Sequence, residues 1–486
     1  MNFRRPWERV AWFRSHPLTT IFLQLIGFAV GTHLLANWRA EVRWQRYCAA
    51  ARARGVKLTL AEFAPPEIPD TENFAKIPML RAIFTGGVQR PMELPVVNGK
   101  RPEFGNAVRG ERLDWQAWQK FCKDAGWITE TSDDTPRDVL RALEHYAPQF
   151  KEWSEWRTRP HCRFPLDLNR GFALPLTHLS TFTDAAKIFG LRMRAHLAVK
   201  DSAVAYADFE DGLQCRRALE EEPTLISKLV QFSALASLCN AVGEGLRDHA
   251  WAEPELRKIE SELSTVHVWK NYRLGFSSER GFSNWFYNEL AADSPQRRAR
   301  GAGLALGSSY PPPVFMLIPT RVYRDNQLRQ NQYIDELLAR ASEDGRRFDA
   351  DGPLPSSPEN LTGMIDRYYF FLFQFSAPVV SEVGNRFVHL QTLLDEIRLA
   401  SALERFRLAR GAFPETLTEL LPDFIAELPV DTYSRQSLIY RRTDGGTFLL
   451  YGVGKNRTDD SGTVNPSRSE NQQLDDTWLY APPPSK

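Results

Sequence analysis

The sequence predicts a mainly α-helical fold: an N-terminal transmembrane helix, a body of repeat-like helical hairpins, and a small α+β C-terminal module carrying a β-hairpin. Three observations predict it. One uncharged run, Pro17 to Trp38, has membrane length. Apolar residues then recur at three- and four-residue spacing through most of the chain, the period of an amphipathic helix. Near the end the period switches to two on either side of an Asp-Gly-Gly turn, with Leu438 and Tyr440 alternating before it and Phe448 and Leu450 after it.

Composition narrows the class. With 43% hydrophobic and 25% charged residues the 486-residue chain is built to fold, and its length predicts two or three domains, each large enough for its own core. A net charge of +1 supplies no global field for nucleic acid, and none is expected as a partner. Five cysteines (Cys48, Cys122, Cys162, Cys215, Cys239) never form a Cys-x-x-Cys pair, which excludes a zinc ribbon or a disulfide-dense scaffold and leaves one or two disulfides open.

Residues 1–16 form a basic tail and 17–38 the anchor, whose partner is the lipid bilayer. A spanning helix needs roughly 20 mainly apolar residues, and Trp12 and Trp38 stand at the two ends where an aromatic belt would lie. A cleavable signal peptide is the rival reading, but no small-x-small site follows the run. A buried soluble helix is the plainer one. Arg4, Arg5, Arg9 and Arg14 precede the segment, while Arg39, Arg43, Arg46, Arg52, Arg54 and Lys57 follow it, so charge bias leaves sidedness undecided. The basic stretch after the span is expected to lie against anionic headgroups.

Residues 39–165 mix irregular chain with helices. Trp115, Trp118, Phe121 and Cys122 mark one helix. Another starts with Thr135 as cap and Pro136 in its first turn, and Pro148 marks its end. In the helical body, 166–384, four amphipathic helices between Thr183 and Thr265 are joined by short links, with Asp201 capping the second and Pro223 starting the third. Short links give antiparallel hairpins that stack in layers. Glu220 to Glu222 read as an exposed helix end. A further helix begins at Thr320. "MIDRYYFFLFQFSAPVV" is too short to span and reads as a buried helix, a membrane-dipping segment being its alternative.

In residues 385–486 a long helix stops at Gly411, Pro414 starts a short second helix, and Pro429 and Asp431 turn the chain into the hairpin. This order, with "GAFPETL", "PVD", "YRR" and "FLLYGVG", an acidic loop and the late Trp478, resembles the tail of the major pseudopilin of type II secretion systems. In that family the acidic loop binds calcium. Asp459 and Asp460 stand in the matching loop, and Asp475 and Asp476 match a second acidic stretch more loosely. Clustered carboxylates suit calcium, which takes six to eight oxygens; a solvated turn is the plainer alternative. The pseudopilin processing site is missing and about 350 residues separate span and tail, more than a typical domain, so the chain is not expected to be a fibre subunit. As a whole it looks like uncharacterised bacterial single-span envelope proteins with a helical body and such a tail.

No His-Glu-x-x-His, phosphate-binding loop or nucleophile elbow occurs, and the histidines have no partner at metal spacing. No residue is put forward as catalytic, and no cofactor other than calcium is suggested. The expected role is a non-catalytic scaffold or interaction protein of a bacterial cell envelope with a protein partner, its body outside the cytoplasm as the tail resemblance implies. The alternatives are an envelope hydrolase acting on cell-wall polymer and a cytoplasm-facing adaptor.

Overall fold

The computed structural model describes residues 17–86, 90–104, 112–306, 314–352, 363–443, 446–462 and 476–477. It is mainly helical. Helix α1 spans Pro17–Ala53, and α2 (Pro78–Phe84), α3 (Trp115–Asp124), α4 (Thr135–Leu143) and α5 (Ala147–Trp156) follow. The body continues with α6 (Leu179–Ala198), α7 (Ser202–Ala218), α8 (Leu225–Arg247), α9 (Glu253–Ser264), α10 (Val268–Leu290) and α11 (Pro295–Leu306). Then come α12 (Val314–Leu317), α13 (Thr320–Ala339), α14 (Met364–Tyr369) and α15 (Phe371–Arg410). Strands β1 (Ile439–Arg442), β2 (Phe448–Gly452) and β3 (Asp476–Thr477) form an antiparallel sheet in the order β1-β2-β3.

Capping sets where several helices begin, and here three expectations change. Asp134, not Thr135, caps α4, accepting from the Arg137 N–H, while Pro136 sits in the first turn. Pro148 opens α5 instead of closing α4, which has already ended at Leu143. Thr224 caps α8 through the Ser227 N–H, placing Pro223 outside the helix. A side-chain oxygen satisfies an orphan helix N–H, which proline cannot do, so the hydrogen-bonding neighbour fixes the start. The same rule moves the turn after Gly411: Thr416 and Glu419 form a capping box over a 3₁₀ turn, Leu417–Leu420. Asp201 caps α7 as expected, accepting from Val204 N–H, and Gly411 ends α15 at φ 82°.

One hydrophobic core runs from Phe74 to Leu450 and takes residues from all three regions 39–165, 166–384 and 385–486. Helices α6, α7 and α8 pack on each other at its centre, and α15 crosses from α8 and α10 to the sheet. Trp153 is fully buried against Phe74, Phe182 and Phe189, its indole N–H donating to the Asp211 carbonyl at 2.9 Å. At 40 residues α15 is about 60 Å long. It runs through position 385 without a break, and Leu394, Ile397 and Leu403 on one side of that position share a core with Phe448 and Leu450. Phe387 meets Phe232 of α8 edge-on at 4.4 Å.

The segment expected as one buried helix is divided. Met364, Ile365 and Tyr368 of α14 are exposed, whereas Leu372, Phe373 and Ala377 of α15 are buried. All five cysteines are buried thiols, none in a disulfide. Strands β1 and β2 pair Tyr440 with Leu450 and Arg442 with Phe448. Asp444 and Gly445 of the connecting turn, Trp478 and Asp475 lie outside the described residues.

Candidate functional site

Helix α1 changes character along its length. From Leu18 to Trp38 its apolar side chains face outward, with Leu18 83%, Phe28 72% and Leu34 61% exposed. From Ala40 onward, Ala40, Trp44, Cys48 and Ala51 are buried at spacings of three and four, one face of the same helix. Among the described residues two helices are long and apolar enough to cross a membrane. The apolar window of α1 is 0% buried, while that of α8 is 61% buried inside the body. The exposed one is the candidate span.

The buried face of α1 lies along α13, fixed by a row of polar contacts. Asn37 Oδ1 accepts from the Arg321 N–H at 3.2 Å, Glu41 takes the Arg324 guanidinium at 2.7 Å, and Arg43 reaches Asp325 at 2.6 Å. The Tyr47 hydroxyl donates to Asp335 at 2.9 Å, and Arg54 stands 3.6 Å from the same carboxylate. Asp335 also pairs at 2.6 Å with Arg280, a guanidinium from α10 that is 1% exposed. The stretch expected to rest on headgroups is therefore a helix continuous with the candidate span and packed on the body, with Arg43 and Arg54 turned to protein carboxylates. Its three-four burial pattern was present in the sequence; its partners, some 280 residues away, were not.

The charge run at Glu220 to Glu222 is not simply an exposed end. Glu221 is exposed, but Glu222 is 4% exposed and held from two sides. His178 Nε2 lies 2.8 Å from one carboxylate oxygen, and the Ser227 hydroxyl donates to the other. His178 is buried, stacked on Phe164 at 4.2 Å. Beside them Lys228 Nζ donates to the carbonyls of Leu219 and Glu220, and burial pulls its ammonium down to about 7. Glu222 borders a surface cleft of about 390 Å³ whose lining includes Pro65, Asn73, Lys76, Arg163 and Phe164. The cleft is mixed in charge, since Lys76 pairs with Asp70 at 3.0 Å.

The acidic loop is a hydrogen-bonded turn. Asp459 Oδ1 accepts from the Tyr451 hydroxyl and the Ser461 N–H, each at 2.8 Å, and Asp460 accepts from the Asn456 amide. These contacts hold the Asp459 carboxyl below the usual carboxylate range, the Tyr451 hydrogen bond most of all. Asp476 belongs to β3, its backbone paired with Gly452. Asp459 and Asp460 are carboxylates, the oxygen type that calcium takes six to eight of. Among the described residues no group of three or more His, Cys, Asp or Glu side chains is placed to hold a metal ion.

Three buried carboxylic acids have no counterpart among the site residues expected from the sequence. Asp208 and Asp211 on α7 are 1% and 6% exposed, with Arg192 at 3.0 Å from the first and Arg157 at 2.8 Å from the second; burial raises both, Asp211 to about 6. Asp395 on α15 is raised by burial to about 7, with Gln391 donating at 2.9 Å, Arg398 at 3.7 Å, and the charges of Asp431 and Glu427 adding to the rise. A carboxyl raised on folding binds its proton more tightly in the folded state. Between its ordinary value near 4 and about 7 it therefore makes stability fall as pH rises. Asp395→Asn keeps the shape and removes the titration. The thermal midpoint of the variant is expected to exceed that of the wild type at pH 8, and the difference to vanish near pH 4; an equal gap at both pH values would count against it. The chain matches no family model, no curated protein and no solved structure.

Proposed function

We propose that this chain is a single-span, membrane-anchored scaffold or interaction protein of a bacterial cell envelope, with its helical body on the extracytoplasmic side and a protein partner. The observation that supports the reading is the helix that leaves an uncharged, exposed segment on one side of Asn37 and is ion-paired into the body on the other. Such a joint holds a large folded surface at a fixed place beside a bilayer, which is what a platform needs. Site-directed photo-crosslinking from exposed body positions such as Ser261 in intact cells tests it. A discrete adduct heavier than the chain is expected. Hydrolysis of purified cell-wall polymer by the wild type, lost in Glu222→Gln, would replace this reading with an envelope hydrolase. That second reading draws on the cleft, where Glu67, Asp70 and Glu222 share one lining, because a glycosidase sets two carboxylates across a groove.

Sidedness has its own test. A cysteine at Ser485, labelled with a membrane-impermeant thiol reagent on spheroplasts, should react before lysis; reaction only after lysis would make the chain a cytoplasm-facing adaptor. Calcium enters only through the acidic loop. A bound ion stabilises by mass action, so the thermal midpoint should rise in millimolar calcium and the rise should be absent in Asp459→Ala. An unchanged midpoint removes calcium from the reading.

A further inference from the structure

Three helices of the body end at one level. Helix α13 runs parallel to α1, because its successive residues Arg321, Arg324 and Asp335 meet Asn37, Glu41 and Arg54 in the same order. Helix α15 runs parallel to α13: Phe373 N–H donates to Asn326 at 3.1 Å and the Ser376 hydroxyl to Gln330 at 2.8 Å. Helix α10 runs the other way, with Arg280 on Asp335 and Asn288 near Arg324, so its C-terminal end and α11 come to the same end of the body. The starts of α13 and α15 therefore lie level with Asn37, the residue at which the candidate span meets the body.

Two short helices hang at this end. Arg298 holds α12 through the carbonyls of Met316 and Ile318, both at 3.3 Å, and through the Thr320 hydroxyl at 2.8 Å. Asp325, which binds Arg43 of α1, also accepts from the Tyr369 hydroxyl of α14 at 2.7 Å, and Asn326 donates to the Tyr369 carbonyl at 2.8 Å. Half-buried bonds thus fasten α12 to Arg298 of α11 and α14 to the first turns of α13. Yet Leu317 is 80% exposed, Met364 73%, Ile365 79% and Tyr368 76%. Large apolar side chains gathered on one side of a folded protein mark a surface that is covered in use.

We infer that these four residues insert into the interfacial layer of the same bilayer that α1 crosses, so that the body is seated on the membrane rather than tethered above it. The inference rests on the anchor reading. Lipid is the occupant because the patch lies at the same end of the body as the exposed Leu34, Leu35 and Trp38 of α1, which a bilayer must cover for a span to exist. Its chemistry also fits: an aromatic with a polar tip, three apolar side chains, and Arg39, Arg321 and Arg367 against Asp366 at headgroup level.

The test places single cysteines at Leu25, Leu317, Ile365 and Ser261 in the full chain, reconstituted in vesicles. Because the five native thiols are buried, a fluorescent thiol reagent goes to the introduced site. Ser261 is the distant control: its neighbour Glu260 pairs with Arg398, 27 residues along α15 from Phe371, about 40 Å away. Lipids brominated near the headgroup end of the acyl chain should quench the labels at Leu317 and Ile365 several-fold more than the label at Ser261. If Leu25 is quenched while Leu317 and Ile365 behave like Ser261, the anchor stands and the seat is wrong. If Leu25, read in parallel with lipids brominated near the methyl end of the acyl chain, is unquenched, both readings fall. Labels at 317 and 365 shielded from aqueous iodide yet blind to brominated lipid would assign the patch to a second protein surface and overturn the lipid occupant.

Discussion

Deleting residues 17–38 is expected to move the protein from the carbonate-washed membrane pellet to the soluble fraction. Between Pro17 and Trp38 stand ten Leu, Ile, Phe and Val side chains. At about 0.3–0.6 kcal/mol each they favour insertion by about 3–6 kcal/mol, before the cost of Gln24 near the middle. A gentler variant makes the same point without shortening the chain. Arginine at both Leu25 and Phe28 costs about 5–7 kcal/mol, enough to cancel the whole gain. The four base residues could then supply only weak attachment, which a high-pH wash removes. Retention of either variant in the washed pellet would move the anchor elsewhere in the chain.

Asp335→Ala should be among the most damaging single changes in the body. It leaves the buried Arg280 guanidinium without its carboxylate, and it removes the acceptor of the Tyr47 hydroxyl. Removing one partner of a buried pair costs about 3–5 kcal/mol, because the remaining charge cannot return to water. For a protein of this size, whose unfolding entropy is near 1 kcal/mol per degree, the thermal midpoint should fall by about 3–5 °C. Adding Arg280→Met should restore most of the loss, since an apolar side chain needs no counter-charge. A fall below one degree, or no recovery in the double variant, would show that the pair is not what holds α10, α13 and α1 together.

Much of this architecture was legible because it is local. The missing charges of 17–38, the three-four spacing of Trp115, Trp118 and Cys122, the Asp201 cap and the Gly411 stop each act within a few residues. What stayed hidden is what depends on distant partners. Glu222 looks like part of a solvated charge run until His178, 44 residues away, is placed against it. The juxtamembrane arginines look like headgroup ligands until Asp325 and Asp335 are folded beside them. Pro223 and Pro414 misled differently: proline permits a helix start, but the residue whose side chain can satisfy an orphan N–H determines it. The acidic loop shows the limit of residue type as a guide, because Asp459 makes the contacts a turn requires whether or not an ion joins it.

The unbroken α1 carries a mechanical consequence. A span longer than the local hydrocarbon thickness accommodates by tilting, and bilayers differ in thickness by a few Å. With Asn37, Glu41, Arg43 and Tyr47 all fastened to α13, no hinge separates the tilting part from the body. The far end of a helix about 60 Å long swings by about 10 Å for a tilt of about 10°. On the anchor reading, membrane thickness thereby sets how high, and at what angle, the distal sheet is presented.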